Sequence, residues 1–138
     1  MLCRFELKLR FGKSSVISYL TARPSQDVVT AARQAITLEW WEEHRTQYEI
    51  FLSELVLEEI GSGDSGAAQR RLHIVENVPI LETTGNAVEL SRILTAEKAI
   101  PDTSMEDALH IGIAAVQGMD FLFTCGFYHF VCNFFLLH

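Results

Sequence analysis

The chain has 138 residues, is 49% hydrophobic and carries 18 acidic against 11 basic side chains, a formal net charge of -7. That length bounds it to one domain with a substantial core, and the acidic balance excludes a general attraction to phosphate backbones, so nucleic acid must be met by a local basic patch or through cations. Three cysteines, Cys3, Cys125 and Cys132, show no CxxC spacing, which argues against a disulfide framework and fits a reduced, cytoplasmic setting.

Residues 5–11, FELKLRF, alternate apolar and polar in period two, which predicts a strand with one wet face. Ser14 or Ser15 caps a short helix, VISYLTA, that Arg23-Pro24-Ser25 ends. A helix is predicted from Asp27 to about Arg45, with Val28, Ala31, Ala32, Ala35, Ile36 and Leu38 at helical spacing and Trp40 and Trp41 as large contact surfaces. YEIFLS, Tyr48 to Ser53, suits a buried strand. Glu54 to Ile60 then forms a helix closed by the glycines of GSGDSG, and Asp64 caps the next, through Leu72.

VPILE supplies a strand near Pro79 to Glu82, and Thr83 or Thr84 opens a helix to about Ala99. SMEDALHIGIAAVQG is the last helix, ending at Gly118 before the strand MDFLFT. No signal peptide is visible, because Arg4, Glu6, Lys8 and Arg10 interrupt the apolar stretches near the start. The closing FLFTCGFYHFVCNFFLLH is long and apolar enough to be weighed as a membrane span. Its Thr124, Gly126, His129 and Asn133 argue instead for a buried strand followed by an amphipathic tail. Strands alternating with helices imply an α/β three-layer sandwich on a central parallel sheet of four or five strands, with sites at the carboxyl ends of the strands.

At the first such end stands Gly12-Lys13-Ser14. A phosphate-binding loop finishes in this way, but it needs a glycine five residues before the Gly-Lys pair, and that position is Leu7. The acids near strand ends are more informative: Glu58 and Glu59 after the second strand, Asp107 at the start of the last helix and Asp120 before the last of these strands. Carboxylates gathered from separate segments serve hard cations such as Mg²⁺ or Mn²⁺. Acids at helix starts also stabilise the helix dipole, so spacing alone leaves both readings open. His110, one turn after Asp107 on an apolar helix, reads as a hydrogen-bonded core residue rather than a ligand. Trp40 and Trp41 read as core or partner-facing residues, and Arg70 and Arg71 as surface residues rather than a phosphate patch.

Taken in order, SSVISYLTARPSQDVVTAARQAITLEWWEEHR, YEIFLSELVLEEIGSGD and IPDTSMEDALHIGIAAVQGMDFLFT make the chain resemble PIN-domain proteins, notably the bacterial group related to VapC toxins. The resemblance covers about residues 13–124. It implies a compact parallel sheet between helices and, in active members, Mg²⁺- or Mn²⁺-dependent cleavage of RNA by three or four acids. It also implies a homodimer silenced by an antitoxin-like protein, with no membrane association. Position by position, the second acid of that family falls on Glu59 rather than Glu58, and the third on Asp107.

Asp120 matches a residue often present in the group, although it sits at a strand start, and Ser14, Ser15 and Thr124 fall on site-lining positions. The first acid is replaced by Lys13, and the last polar ligand falls on Gly126. Residues 1–12 and 125–138 depart from the family pattern. The resemblance therefore implies a single PIN-like domain of ribonuclease ancestry with an impaired metal site, or alternatively an inactive interaction module that binds an antitoxin-like partner.

Overall fold

The computed structural model describes residues 7–11, 14–98, 105–125 and 132–136. Strand β1, Leu7–Phe11, leads to helix α1, Ser14–Thr21, and then to α2, Val28–Glu43. Strand β2, Tyr48–Ser53, runs directly into α3, Glu54–Ile60, followed by α4, Ser65–Ile74, and the short β3, Ile80–Leu81. Helices α5, Gly85–Ala96, and α6, Met105–Val116, precede β4, Phe121–Cys125, and β5, Cys132–Leu136.

Four helix starts are fixed by their own sequence. Asp27 accepts from the Thr30 amide at 2.8 Å, Ser53 from Val56 at 3.3 Å, Asp64 from Ala67 at 2.9 Å and Thr84 from Ala87 at 3.2 Å. Each side-chain oxygen satisfies an amide that the first turn leaves without an intrahelical partner. Helix α6 stops where Gly118 turns to a φ of +70°, and the Met119 amide returns to the Ala114 carbonyl at 2.9 Å. That left-handed backbone favours glycine. Helix α2 ends two residues before the expected Arg45, because the His44 amide closes on the Trp40 carbonyl and a 3-10 turn, Arg45–Gln47, follows.

The strand order is β3-β2-β1-β4-β5. Strands β3, β2, β1 and β4 pair in parallel, with Leu9 opposite Ile50 on one side and Phe121 on the other. Residues 7–11 form the central strand of the sheet, between β2 and β4. One expectation is corrected here: the sheet is not wholly parallel, since β5 runs antiparallel to β4, with Phe123 opposite Phe134. The connection over 126–131 is too short for a parallel crossover, which takes about a dozen residues or more. The expected tail thus contributes a strand.

Helices cover both faces. On one, α1 to α4 pack Val16, Ile17, Trp40, Val56, Ile60 and Val75 against Leu52 and Phe123 of the sheet. On the other, Ala114 and Met119 pack on Leu122, with Phe51, Leu81 and Ile111 around them, and α5 lies against α6. Successive residues of one strand serve opposite faces: Leu52 and Phe51, Phe123 and Leu122. Among the described residues no helix is long and apolar enough to cross a membrane.

Candidate active site at the carboxyl edge of the sheet

Strands β1, β2 and β4 are parallel and in register, so Phe11, Ser53 and Cys125 lie toward one edge. Two helices leave from this edge. Helix α1 starts at Ser14 and α3 at Glu54, while α6 runs back toward the start of β4 and so brings its own amino end here. Asp107 lies in the first turn of α6, and Glu59 in the last turn of α3.

The two helices meet through a side-chain contact. Nε2 of His110, one turn along α6 from Asp107, stands 3.7 Å from Oε1 of Glu59. Residues three apart on a helix share a face, so Glu59 reaches α6 on the stretch that carries Asp107. The His110 side chain is 3% exposed and that of Glu59 26%; Glu58 beside it faces solvent. At 3.7 Å the contact exceeds hydrogen-bond length. It seats the Glu59 side chain against α6.

Two further polar groups shape the edge. Ser15 Oγ is buried with no hydrogen-bond partner among the described residues. Such an orphaned hydroxyl costs about 1–3 kcal/mol unless something at the site engages it. Glu54, in the first turn of α3, accepts a hydrogen bond from the Thr83 amide at 3.1 Å and ties the start of α3 to the loop before α5. Carboxylates and hydroxyls are hard oxygen donors, and Mg²⁺ is commonly held by one or two carboxylates, waters and substrate phosphates. Glu59, Asp107 and Ser15 fit such an ion by their chemistry. Among the described residues no group of three His, Cys, Asp or Glu side chains gathers into a metal site.

No family model matches the chain, and no curated protein matches it. Among solved structures, Mycobacterium tuberculosis VapC20, described as a sarcin-ricin loop cleaving toxin, is similar over 91% of this chain and 100% of its own, with a TM-score of 0.66 and 14% sequence identity. The chain has the PIN-like α/β fold of a VapC toxin.

Within this PIN-like fold the sequence-predicted residues separate into groups. Glu59 and the amino end of α6 come together at the carboxyl edge. Asp120 precedes β4 and lies at the amino end of that strand, a strand length away from the edge where β1 and β2 end. Ser14 opens α1 and Thr124 belongs to β4, which places their backbones toward the carboxyl edge. Lys13 and Gly126 lie outside the described residues.

His110 is nearly buried, as a core reading of it requires, but its contact with Glu59 was not legible in the sequence. The signal was weak: a lone histidine on an apolar helix. Trp40 is core, stacked on Phe123 with centroids 4.4 Å apart, and Trp41 carries the Arg45 guanidinium 4.6 Å above its ring. Arg71 is not a free surface residue, since it donates to the Ile60 carbonyl at 2.9 Å and to that of Ser62 at 2.7 Å, closing the end of α3 next to Glu59.

Proposed function

We propose that the protein is a PIN-like endoribonuclease of the toxin-antitoxin type whose metal site is weakened by Lys13. The observation that carries this reading is the seating of Glu59 on α6, one turn from Asp107, in a fold shared with VapC20. Glu59 and Asp107 hold Mg²⁺ or Mn²⁺, and the ion, when bound, supplies an activated water and stabilises the charge that develops on the phosphodiester. His110 positions the Glu59 carboxylate, and Ser15 lies at the start of α1 on the same edge. Ser14 and Thr124 line the same edge. The remaining parts of the proposal, a homodimer in the cytoplasm with an antitoxin-like protein as its silencing partner, rest on the fold likeness alone.

Lys13 stands in sequence where the resemblance places the family's first carboxylate. Exchanging a carboxylate for an ammonium about 4 Å from a divalent ion reverses an interaction worth roughly 4 kcal/mol per unit-charge pair at an effective dielectric near 20. Metal affinity falls accordingly. The test is cleavage of RNA, titrated with Mg²⁺ and Mn²⁺, by the parent chain, by Lys13→Glu with Gly126→Asn, and by that pair with Glu59→Gln added. Expected is weak cleavage at high metal by the parent, tighter metal dependence in the double variant and loss on adding Glu59→Gln. Cleavage undiminished by Glu59→Gln, or none by the double variant with either metal, overturns the proposal.

A second reading is favoured by the two replacements, Lys13 and Gly126, both of which remove an oxygen ligand. Here the chain is an inactive module that still captures an antitoxin-like partner. A parent chain without cleavage at any metal concentration, rescued only by the double variant, selects it.

A further inference from the structure

Away from the carboxyl edge, the far end of α1 and the middle of α4 flank an open cavity of about 320 Å³ lined by Thr21, Ala22, Arg23 and Arg70. Both arginines are exposed, and neither guanidinium has a carboxylate partner among the described residues. Among the described residues no lining residue is acidic, in a chain whose net charge is -7. The acid that shares a neighbour with Arg70 is Asp64, across Gly66, and its carboxylate is engaged in capping α4. Two guanidiniums around one concavity, without a carboxylate partner among the described residues, are a donor set for a tetrahedral oxyanion, whose oxygens accept several N–H bonds at once.

The backbone beneath each arginine is held in advance. Pro24 restricts Arg23 to extended backbone. The Gln34 side chain then clamps the loop from α2, donating to the Arg23 carbonyl at 3.1 Å and accepting from the Ser25 amide at 2.9 Å. Arg70 sits on a helix whose next residue, Arg71, anchors it to the end of α3. Donors carried on a fixed backbone lose less entropy when an anion arrives.

The cavity and the candidate site lie at opposite ends of one helix. Helix α1 has eight residues and so spans about 12 Å, which corresponds to roughly three to four nucleotides of stacked strand at 3.4 Å each. We infer that Arg23 and Arg70 form a second phosphate-binding point for the RNA strand, three to four nucleotides from the bond at the Glu59 edge, and thereby position the substrate. This rests on the ribonuclease reading above. A local basic point of this kind is what an acidic protein needs to hold a polyanion at all.

The experiment measures binding of a fluorescein-labelled single-stranded oligoribonucleotide to the full chain in EDTA, across a salt series, with thermal melts as a folding check. Arg23→Ala with Arg70→Ala is expected to weaken binding at least about tenfold and to reduce the slope of log affinity against log salt by about 0.7, the value for one phosphate on a single strand. Arg23→Lys with Arg70→Lys is expected to keep that slope. Arg92→Ala, on the exposed face of α5 beside Glu89, is expected to change nothing.

Equal affinity and slope in parent and Arg23→Ala/Arg70→Ala overturn the inference. So does a loss confined to binding of a glutamate-rich peptide, which makes the cavity a protein-partner site. The same arginine pair, removed from the Lys13→Glu/Gly126→Asn variant, separates the two proposals. Cleavage with an unchanged KM sinks the phosphate point and leaves the ribonuclease reading standing. Absence of both cleavage and RNA binding in the repaired variant sinks both.

Discussion

On the face covered by α1 to α4, Trp40 stacks on Phe123 and tilts against Tyr48 with ring centroids 5.7 Å apart. On the other face α5 and α6 meet almost backbone to backbone: a Cβ added to Gly112 would stand 2.5 Å from the Ala87 carbonyl oxygen. One face is filled by large side chains and the other by their absence. The difference matters for function because the candidate site lies on the seam, with Glu59 supplied by a helix of the first face and His110 and Asp107 by a helix of the second. Its geometry depends on both kinds of packing holding their distance from the sheet.

The largest expected effect falls on the aromatic face. Trp40→Ala removes a side chain that is 8% exposed as a residue and stacked on Phe123, and it should cost about 3–5 kcal/mol through lost burial and the cavity left behind. Urea denaturation measures it; a loss under about 1 kcal/mol would mean that Trp40 is not the wedge of that face. On the opposite face Gly112→Ala gains about 1 kcal/mol of helix propensity. It also forces a backbone clash of the kind that costs about 1–3 kcal/mol or more. A net loss is expected. Gly85→Ala is the control, because nothing lies within 4 Å of its added Cβ, and it should stabilise by about 0.4–1 kcal/mol. Should both alanines stabilise, the close-approach account of α5 and α6 is wrong.

The seam itself is tested by a double-mutant cycle of Glu59→Gln and His110→Gln. A coupling of about 0.5–1 kcal/mol is expected for a partly buried contact at 3.7 Å, and no coupling would mean that the two faces meet at this point without interacting. The smallest effect concerns the start of α2. The Asp27 carboxyl is held below its ordinary value of 3.8, first by the backbone hydrogen bond from Thr30, then by the Thr30 side chain and the Arg33 charge. A depressed carboxyl pKa adds stability that is complete above the unfolded value and fades as pH falls through the folded one. Melting curves between about pH 6 and about pH 2.5 should therefore show a shallower acid limb in Asp27→Asn, which keeps the cap but cannot titrate. An identical acid limb would place the stability of α2 in its core contacts alone.

Much of this molecule follows from local chemistry. The bounds of β2 and α3 are contained in YEIFLS and ELVLEEI, and Asp27, Asp64 and Thr84 begin their helices because an acceptor three residues before an amide needs nothing from the rest of the chain. The choice of Glu59 over Glu58 came from the family resemblance and not from local order; Glu58 is exposed and Glu59 half-buried. What lay beyond sequence reading involves partners far apart in the chain. The period-two pattern of FELKLRF cannot reveal that Leu9 will have Ile50 on one side and Phe121 on the other, so its place at the centre of the sheet was invisible. The tail hid an antiparallel edge strand for the same reason.

Likewise, no spacing rule joins Glu59 to His110, Arg71 to the end of α3, or Arg23 to Arg70 across one cavity. Residue periodicity and capping act within a turn or two of chain, and they fixed where helices and strands begin and end. Which acids and arginines come to face one another was decided only when both sheet faces were covered, because that proximity is set by packing between elements.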